Sequence, residues 1–288
     1  MPTQIIDLGH SRVPYYRIGR GPDLLFIHGW PLHSATFRHV VPLLADTFTC
    51  HLFDLPGTGD SEWGEQSKIS LSDHARSVRQ IVDQLGLTQY AVLAHDSGAV
   101  IARLAAADDA RVQGLVLGNT EIAGYRAWQI RLFLLTERIP FGAQLFGLSL
   151  RLHAVRHSSL AYGGCFKDPN FAEGEFRGLF LDPLLRSRRR FLGQRRLLQS
   201  FDMNVIDTLG EVEARIRAPV HFVWGAEDPF FPLAKLKLTL AHFGGGASLS
   251  VIPTAKLFAH EDFPKQFVGE ARAFLLRCIA QRTAAVSA

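Results

Sequence analysis

Apolar strand-like runs that alternate with amphipathic helical ones predict an α/β fold, a mostly parallel sheet covered by helices on both faces. Two observations carry that expectation. Runs such as "YAVLA", Tyr90 to Ala94, are apolar throughout and lack the polar alternation of a strand facing water. The chain has 288 residues, 47% of them hydrophobic and 20% charged, enough for one large core with an insertion.

In chain order, "VPYYRIG" and "DLLFIHGW" are the first strands, followed by a helical stretch from Ser34 to Ala45 and the strand of "FTCHLFDLPG". A helix from about Leu71 to Leu85 takes Ser70 as its cap, because a serine oxygen there can accept from the first free amides. The strand Tyr90 to Ala94 leads through a polar turn into small residues from Gly98 that open a helix. "VQGLVLGNT" supplies the next strand, and "APVHFVWG" and "ASLSVIPT" supply two more around a helix from about Pro232 to His242. A helix from about Pro264 to Cys278 ends the order. Between Thr120 and about Asp207 the alternation stops and several helices follow one another. That stretch is expected to be a helical cap, 122–207, inserted after the sixth strand between core segments 1–121 and 208–288, and to fold over the sheet edge where ligands bind.

The net charge of +4 concentrates in "RSRRRFLGQRR", whose arginines alternate with leucines and Phe191 like the solvated face of an amphipathic helix. No zinc-ligand spacing, RNA-binding aromatic signature or helix-turn-helix accompanies it, so nucleic acid is not an expected partner. No apolar run reaches the roughly 18 residues of a membrane helix and the first residues lack a signal core, so neither a membrane nor export is expected, and a cytoplasmic location is the default expectation. Cys50, Cys165 and Cys278 have no metal-ligand spacing and are expected to be reduced and structural.

The turn "AHDSG" holds the first candidate for chemistry. A nucleophile on a sharp strand-to-helix elbow needs small residues two before and two after it. Asp96 has Ala94 and Gly98 in those places, whereas Ser97 has His95 and Ala99, so Asp96 fits the elbow better. "HGWP" from His28 to Pro31, "DLPGTGDS" from Asp54 to Ser61, the elbow and "WGAEDPFFP" from Trp224 to Pro232 all end strands, and "LFAHEDFP" follows the final strand. Strand ends on one edge of a parallel sheet converge in space, so these motifs are expected to meet.

With those motifs in that order, the chain resembles the α/β-hydrolase family over nearly its whole length. The resemblance implies Asp96 as nucleophile, Asp228 as acid and His260 as base, with the backbone amides of Trp30 and Ser97 as oxyanion donors. Glu121, after "VQGLVLGNT", is an alternative acid, because some dehalogenases carry theirs there. His28, Pro31, Trp30 and Phe53 are expected to line the pocket. An ionised carboxylate needs no base for its own attack, so Asp96 can form an alkyl-enzyme ester whose carbonyl is then attacked by water activated at His260. Asp228 would orient the imidazole.

An aspartate elbow resembles epoxide hydrolases and haloalkane or haloacid dehalogenases. Haloalkane dehalogenases place a tryptophan after the nucleophile and fluoroacetate dehalogenases an arginine. This chain has Ser97, and "HGWP" resembles the epoxide hydrolases. An epoxide hydrolase giving a diol is therefore the leading expectation, with a dehalogenase as its alternative. An esterase using Ser97 and a non-catalytic ligand receptor are the further alternatives. An opening epoxide needs a proton from opposite the nucleophile, and Tyr125 and Tyr162 are the cap candidates, with His153 or His157 as substitutes for a second cap tyrosine. The expected partners are a small apolar substrate and water, with self-association left open and no metal or other cofactor required.

Overall fold

The computed structural model describes residues 3–287. Among them, nine strands form one sheet: β1 Gln4–Asp7, β2 Ser11–Gly19, β3 Asp23–Ile27, β4 Thr49–Phe53, β5 Glu62–Trp63, β6 Tyr90–Ala94, β7 Val112–Leu117, β8 Val220–Gly225 and β9 Ala247–Ile252. Their order is β1-β2-β4-β3-β6-β7-β8-β9, with β5 on β2. The pairs made by β2 are antiparallel, and every pair from β4 across to β9 is parallel.

The helices that position the site are α1 Leu71–Gln84, α2 Ser97–Ala106, α3 Trp128–Thr136, α4 Gly142–Ser149, α5 Arg188–Gln199, α6 Leu209–Ala214, α7 Leu233–Thr239, α8 Ala259–Asp262 and α9 Pro264–Ser287. Strand side chains alternate between two cores, as a period of two requires. Leu25 and Ile27 of β3 face the core under α1 and α2, while Leu24 and Phe26 face the core that Phe267, Ala271, Phe274 and Leu275 of α9 complete. Ser70 caps α1 as expected, its oxygen accepting from the Asp73 amide at 3.1 Å.

Three expectations about elements change. The stretch from Ser34 to Ala45 is a 3₁₀ turn, Ser34–Phe37, and a separate one-turn helix, Val41–Leu44, with Pro42 in its first turn. Proline has no N–H to continue a helix from the preceding turn, which accounts for the break. The insertion follows the seventh strand and not the sixth. β1 and the two-residue β5 pair only at the β2 edge, too briefly to show a hydrophobic pattern.

Between β7 and β8 the described residues contain helices and loops without a strand. The basic run within them is a solvated face only in part: Arg186, Arg188 and Arg189 are exposed, but several of its arginines are engaged by the core. Arg190 pairs with Asp60, Arg195 bonds Glu137 at 2.7 Å, Arg196 donates to the Gly64 and Ser67 carbonyls, and Arg189 and Arg196 lie over the Trp63 ring. At Gly193 of α5 a side chain would meet the Gly57 carbonyl at 2.1 Å, so the glycine lets the insertion rest directly on the loop after β4.

Candidate active site

Asp96 lies between β6 and α2 with φ 51° and ψ −143°, a conformation that costs on the order of 1–3 kcal/mol for a residue other than glycine. The surrounding backbone holds it there. Its amide donates to the Asn119 carbonyl at 2.7 Å, and its carbonyl accepts from the Ala99 amide and the Thr120 hydroxyl, both at 2.8 Å. Gly29 allows the carboxyl to lie against the loop after β3, because a Cβ there would stand 2.5 Å from Asp96 Oδ2.

The carboxyl faces a cavity of about 150 Å³ between the sheet edge and the insertion. Trp30, Pro31, Asp96, Ser97 and Glu121 contribute from the core, Ile130, Phe133, Phe146 and Leu150 from α3, α4 and the turn after it, and Phe230, Phe231, Leu257 and Phe258 from the loops after β8 and β9. The wall is overwhelmingly apolar, and among the described lining residues there is no histidine.

His260 is buried on α8, outside this cavity, and its Nε2 lies 2.8 Å from Thr36 Oγ1. The Thr36 hydroxyl donates to Glu261 at 3.0 Å, so the imidazole Nε2–H donates to Thr36 Oγ1. Among the described residues no carboxylate oxygen lies within the 4.0 Å of an ion pair from its ring nitrogens, although Asp228 was expected to orient the ring. Its ring packs on that of His95 at 4.0 Å, and both rings lie edge-on to Phe258, which lines the cavity. Leu257 and Phe258, just before His260 in the chain, line the cavity. Asp228 accepts from the amides of Phe230 and Phe231 at 2.7 and 3.1 Å and from Asn119 Nδ2 at 2.7 Å, so it organises the loop after β8 and orients no imidazole.

A family model described as the alpha/beta hydrolase fold matches residues 22–264. The chain belongs to the α/β-hydrolase family. It is 28% identical over 266 residues to haloalkane dehalogenase 2 of Mycobacterium tuberculosis, covering 90% of this chain and 89% of that protein. A soluble epoxide hydrolase of Corynebacterium sp. is 37% identical over 91 residues, 32% of each chain. Among solved structures, the epoxide hydrolase CorEH aligns with a TM-score of 0.79 at 20% identity over 95% of this chain and 98% of its own. A haloalkane dehalogenase from Bradyrhizobium elkani aligns with a TM-score of 0.79 at 19% identity over 96% and 98%. These structural likenesses concern the fold.

Within this α/β-hydrolase the carboxyl groups are held under strong electrostatic pressure. Burial, then the neighbouring charge of Glu121, push the Asp96 pKa well above the usual carboxylate range, against hydrogen bonds from the Ser97 and Trp30 amides that lower it. Burial raises Glu121 as well, while its own amide, Arg103 and the Thr120 hydroxyl pull the other way. Asp228 is pushed up to about 7, first by burial. His260 is held neutral down to about pH 3 by burial and by the charges of Arg38 and His39.

The structure separates the other candidates. Tyr162 is on the cavity wall, and its hydroxyl makes no hydrogen bond among the described residues, whereas Tyr125 is half-buried away from it. His153 and His157 stack at 3.8 Å on the insertion, off the cavity, with Glu173 beside them. Glu173 already pairs with Arg156 and Arg177, which offset the charge a metal would need. His28 and Phe53 are likewise off the cavity. His28 accepts from the Leu55 amide at 3.1 Å and ties two loops together, and Phe53 is core. Trp30 and Pro31 are on it, but the Trp30 indole N–H is committed to the Gln194 carbonyl at 3.1 Å.

Cys165, read as a structural thiol, also lines the cavity, and burial with the charges of Asp96 and Asp228 holds it protonated. The aromatic wall of Phe230 and Phe231 has a signal in "DPFFP", two large apolar residues directly after a strand-end acid.

Proposed function

We propose that this chain is a hydrolase that opens small apolar epoxides through Asp96, with Glu121 in place of the histidine as the base for the second step. The observation that carries this reading is a strained, buried Asp96 carboxyl facing an apolar cavity that it shares with Glu121 and the unpartnered Tyr162 hydroxyl. The Asp96 carboxylate attacks an epoxide carbon, the carbon–oxygen bond breaks, and Tyr162 protonates the departing oxygen to leave a hydroxy-ester. Esterification removes the Asp96 charge that raises its neighbour's proton affinity, so Glu121 ionises more readily when a base is needed. Glu121 then takes a proton from water attacking the ester carbonyl, and the oxyanion is held by the Ser97 amide and by the Trp30 amide, which it shares with the Ser97 hydroxyl. As the tetrahedral intermediate collapses, its remaining hydroxyl proton passes to the departing alkoxide, so the diol leaves and Asp96 is again a carboxylate. The proton on Glu121 returns to the Tyr162 oxygen and closes the cycle.

The dehalogenase reading draws on the full-length relatives, but a halide needs donors aimed at the leaving group. The Trp30 indole is engaged by Gln194 and the Arg195 guanidinium by Glu137. Ester hydrolysis through Ser97 is less well supported, because its hydroxyl oxygen accepts from the Trp30 amide at 2.9 Å and, among the described residues, no group accepts its proton. The absence of a histidine among the described lining residues is the specific observation favouring a ligand receptor as the second reading.

Diol and halide formation from a panel of apolar epoxides and haloalkanes tests the proposal. Wild type is expected to yield diols, Asp96→Asn to lose about 10³-fold or more, and Glu121→Gln to lose about 10²- to 10⁴-fold while accumulating a covalent adduct visible by intact mass. Halide without diol would install the dehalogenase reading, and ligand-induced thermal stabilisation without any turnover would install the receptor.

A further inference from the structure

The helices that wall the cavity are apolar on their outer faces as well. Ile130 and Phe133 of α3 and Phe146 of α4 point into the cavity. Trp128, Leu132 and Leu135 of α3 and Ile139 beyond it recur at helical spacing on the exposed side, as do Phe141, Leu145, Leu148 and Leu152 along α4 and its flanks. Phe141 is 75% exposed and Leu145 and Leu152 are each 62% exposed. A helix that is apolar all round ordinarily lies in a protein interior or in lipid.

Charge names the occupant. From residue 122 to 160 the sole acid is Glu137, which is buried against Arg195 and Gln199. The exposed guanidinium groups of Arg131, Arg138 and Arg151 make no ion pair or hydrogen bond among the described residues. Each follows an exposed apolar residue by three positions: Trp128, Leu135 and Leu148. Arginines bordering an apolar stripe match an anionic bilayer surface, with side chains in the acyl boundary and guanidinium groups at the lipid phosphates. Across a self-associating interface the same arginines would repel their copies.

We infer that α3 and α4 form a docking surface for anionic bilayers. No described helix is long and apolar enough to cross a membrane, so the chain would lie on the surface. Docking there would bring the helices that wall the cavity to the phase in which apolar substrates concentrate.

Flotation of the full chain with phosphatidylcholine vesicles, with and without phosphatidylglycerol, tests this independently of catalysis. Wild type is expected to float with the anionic vesicles and to be released by high salt. Phe141→Ser/Leu145→Ser/Leu148→Ser is expected to bind at least about tenfold more weakly, and Arg131→Gln/Arg138→Gln/Arg151→Gln to lose about fivefold per arginine. Melting temperatures verify folding, and the arginine set, which alters only exposed side chains, stands if the serine set fails to fold. Wild type that floats with neither vesicle, or serine and arginine variants that both float like wild type, would overturn the inference. So would a wild-type dimer that the serine variant converts to monomer, since it would give the face to a second copy.

Discussion

At the scale of single residues, the site is a problem of placing negative charge. Asp96 and Glu121 share an apolar cavity, and burial together with mutual repulsion makes it costly to ionise both. A protonated Asp96 cannot attack carbon, so the rate of adduct formation should rise with pH along a limb well above the ordinary carboxylate range. Glu121→Gln removes the neighbouring charge and should move that limb to lower pH, which stopped-flow or quenched-flow alkylation at a series of pH values would detect. His260 belongs to a different argument. Because it stays neutral in the folded chain down to about pH 3 but protonates near its ordinary value when unfolded, the unfolded state binds the extra proton in between. Stability is therefore lost as pH falls from about 6.5 toward 3. His260→Gln should weaken that acid sensitivity in denaturant titrations and leave turnover within about threefold of wild type, whereas a true base would cost 10²-fold or more.

That histidine also marks the limit of what the sequence made legible. The order of elbow, late acid and histidine is visible along the chain, and Asp96 was identifiable because an elbow constrains the size of its neighbours. Which residues of "KLFAHEDFP" face the cavity depends on where the loop turns into α8, and the turn at Ala259 leaves Leu257 and Phe258 on the wall and His260 off it. Motif order carries no information about that direction.

At the scale of elements, the elbow works because α2 starts hard against β3. A Cβ on Gly98 would lie 2.3 Å from the His28 carbonyl oxygen and 2.5 Å from that of Ile27, both backbone atoms that cannot rotate away. Gly98→Ala should therefore cost about 1–3 kcal/mol of stability and displace the amides that face Asp96, measurable as a lowered melting temperature with a fall in adduct formation. The central strands were legible because they are apolar throughout, and α1 because of its cap. The edge strands β1 and β5 were not, since their pairing is set by β2 rather than by a pattern of their own. The "RSRRRFLGQRR" run was legible as an amphipathic helix but not as a clasp, because its partners Asp60, Trp63 and Glu137 are remote in sequence.

At the scale of the whole molecule, one buried ion pair joins the elbow helix to the chain that returns from the insertion. Arg103 on α2 bonds Glu213 on α6 at 2.7 Å, the Thr120 hydroxyl at 2.9 Å and the Glu121 carbonyl at 2.8 Å, and Thr120 in turn donates to the Asp96 carbonyl. Glu213→Ala strands a guanidinium with almost no exposure and should cost about 3–5 kcal/mol by chemical denaturation. On the proposed mechanism turnover should fall with it, because the same arginine holds the Glu121 carbonyl.

On the proposed mechanism Asp96 becomes an ester and water attacks the enzyme's own carbonyl. A single turnover of an apolar epoxide by excess enzyme in ¹⁸O-labelled water, followed by mass analysis of the peptide containing Asp96, measures this directly. Label in the Asp96 carboxylate, with the diol drawing its new oxygen from the enzyme, is the predicted result. Label confined to the diol, with Asp96 unlabelled, would contradict it.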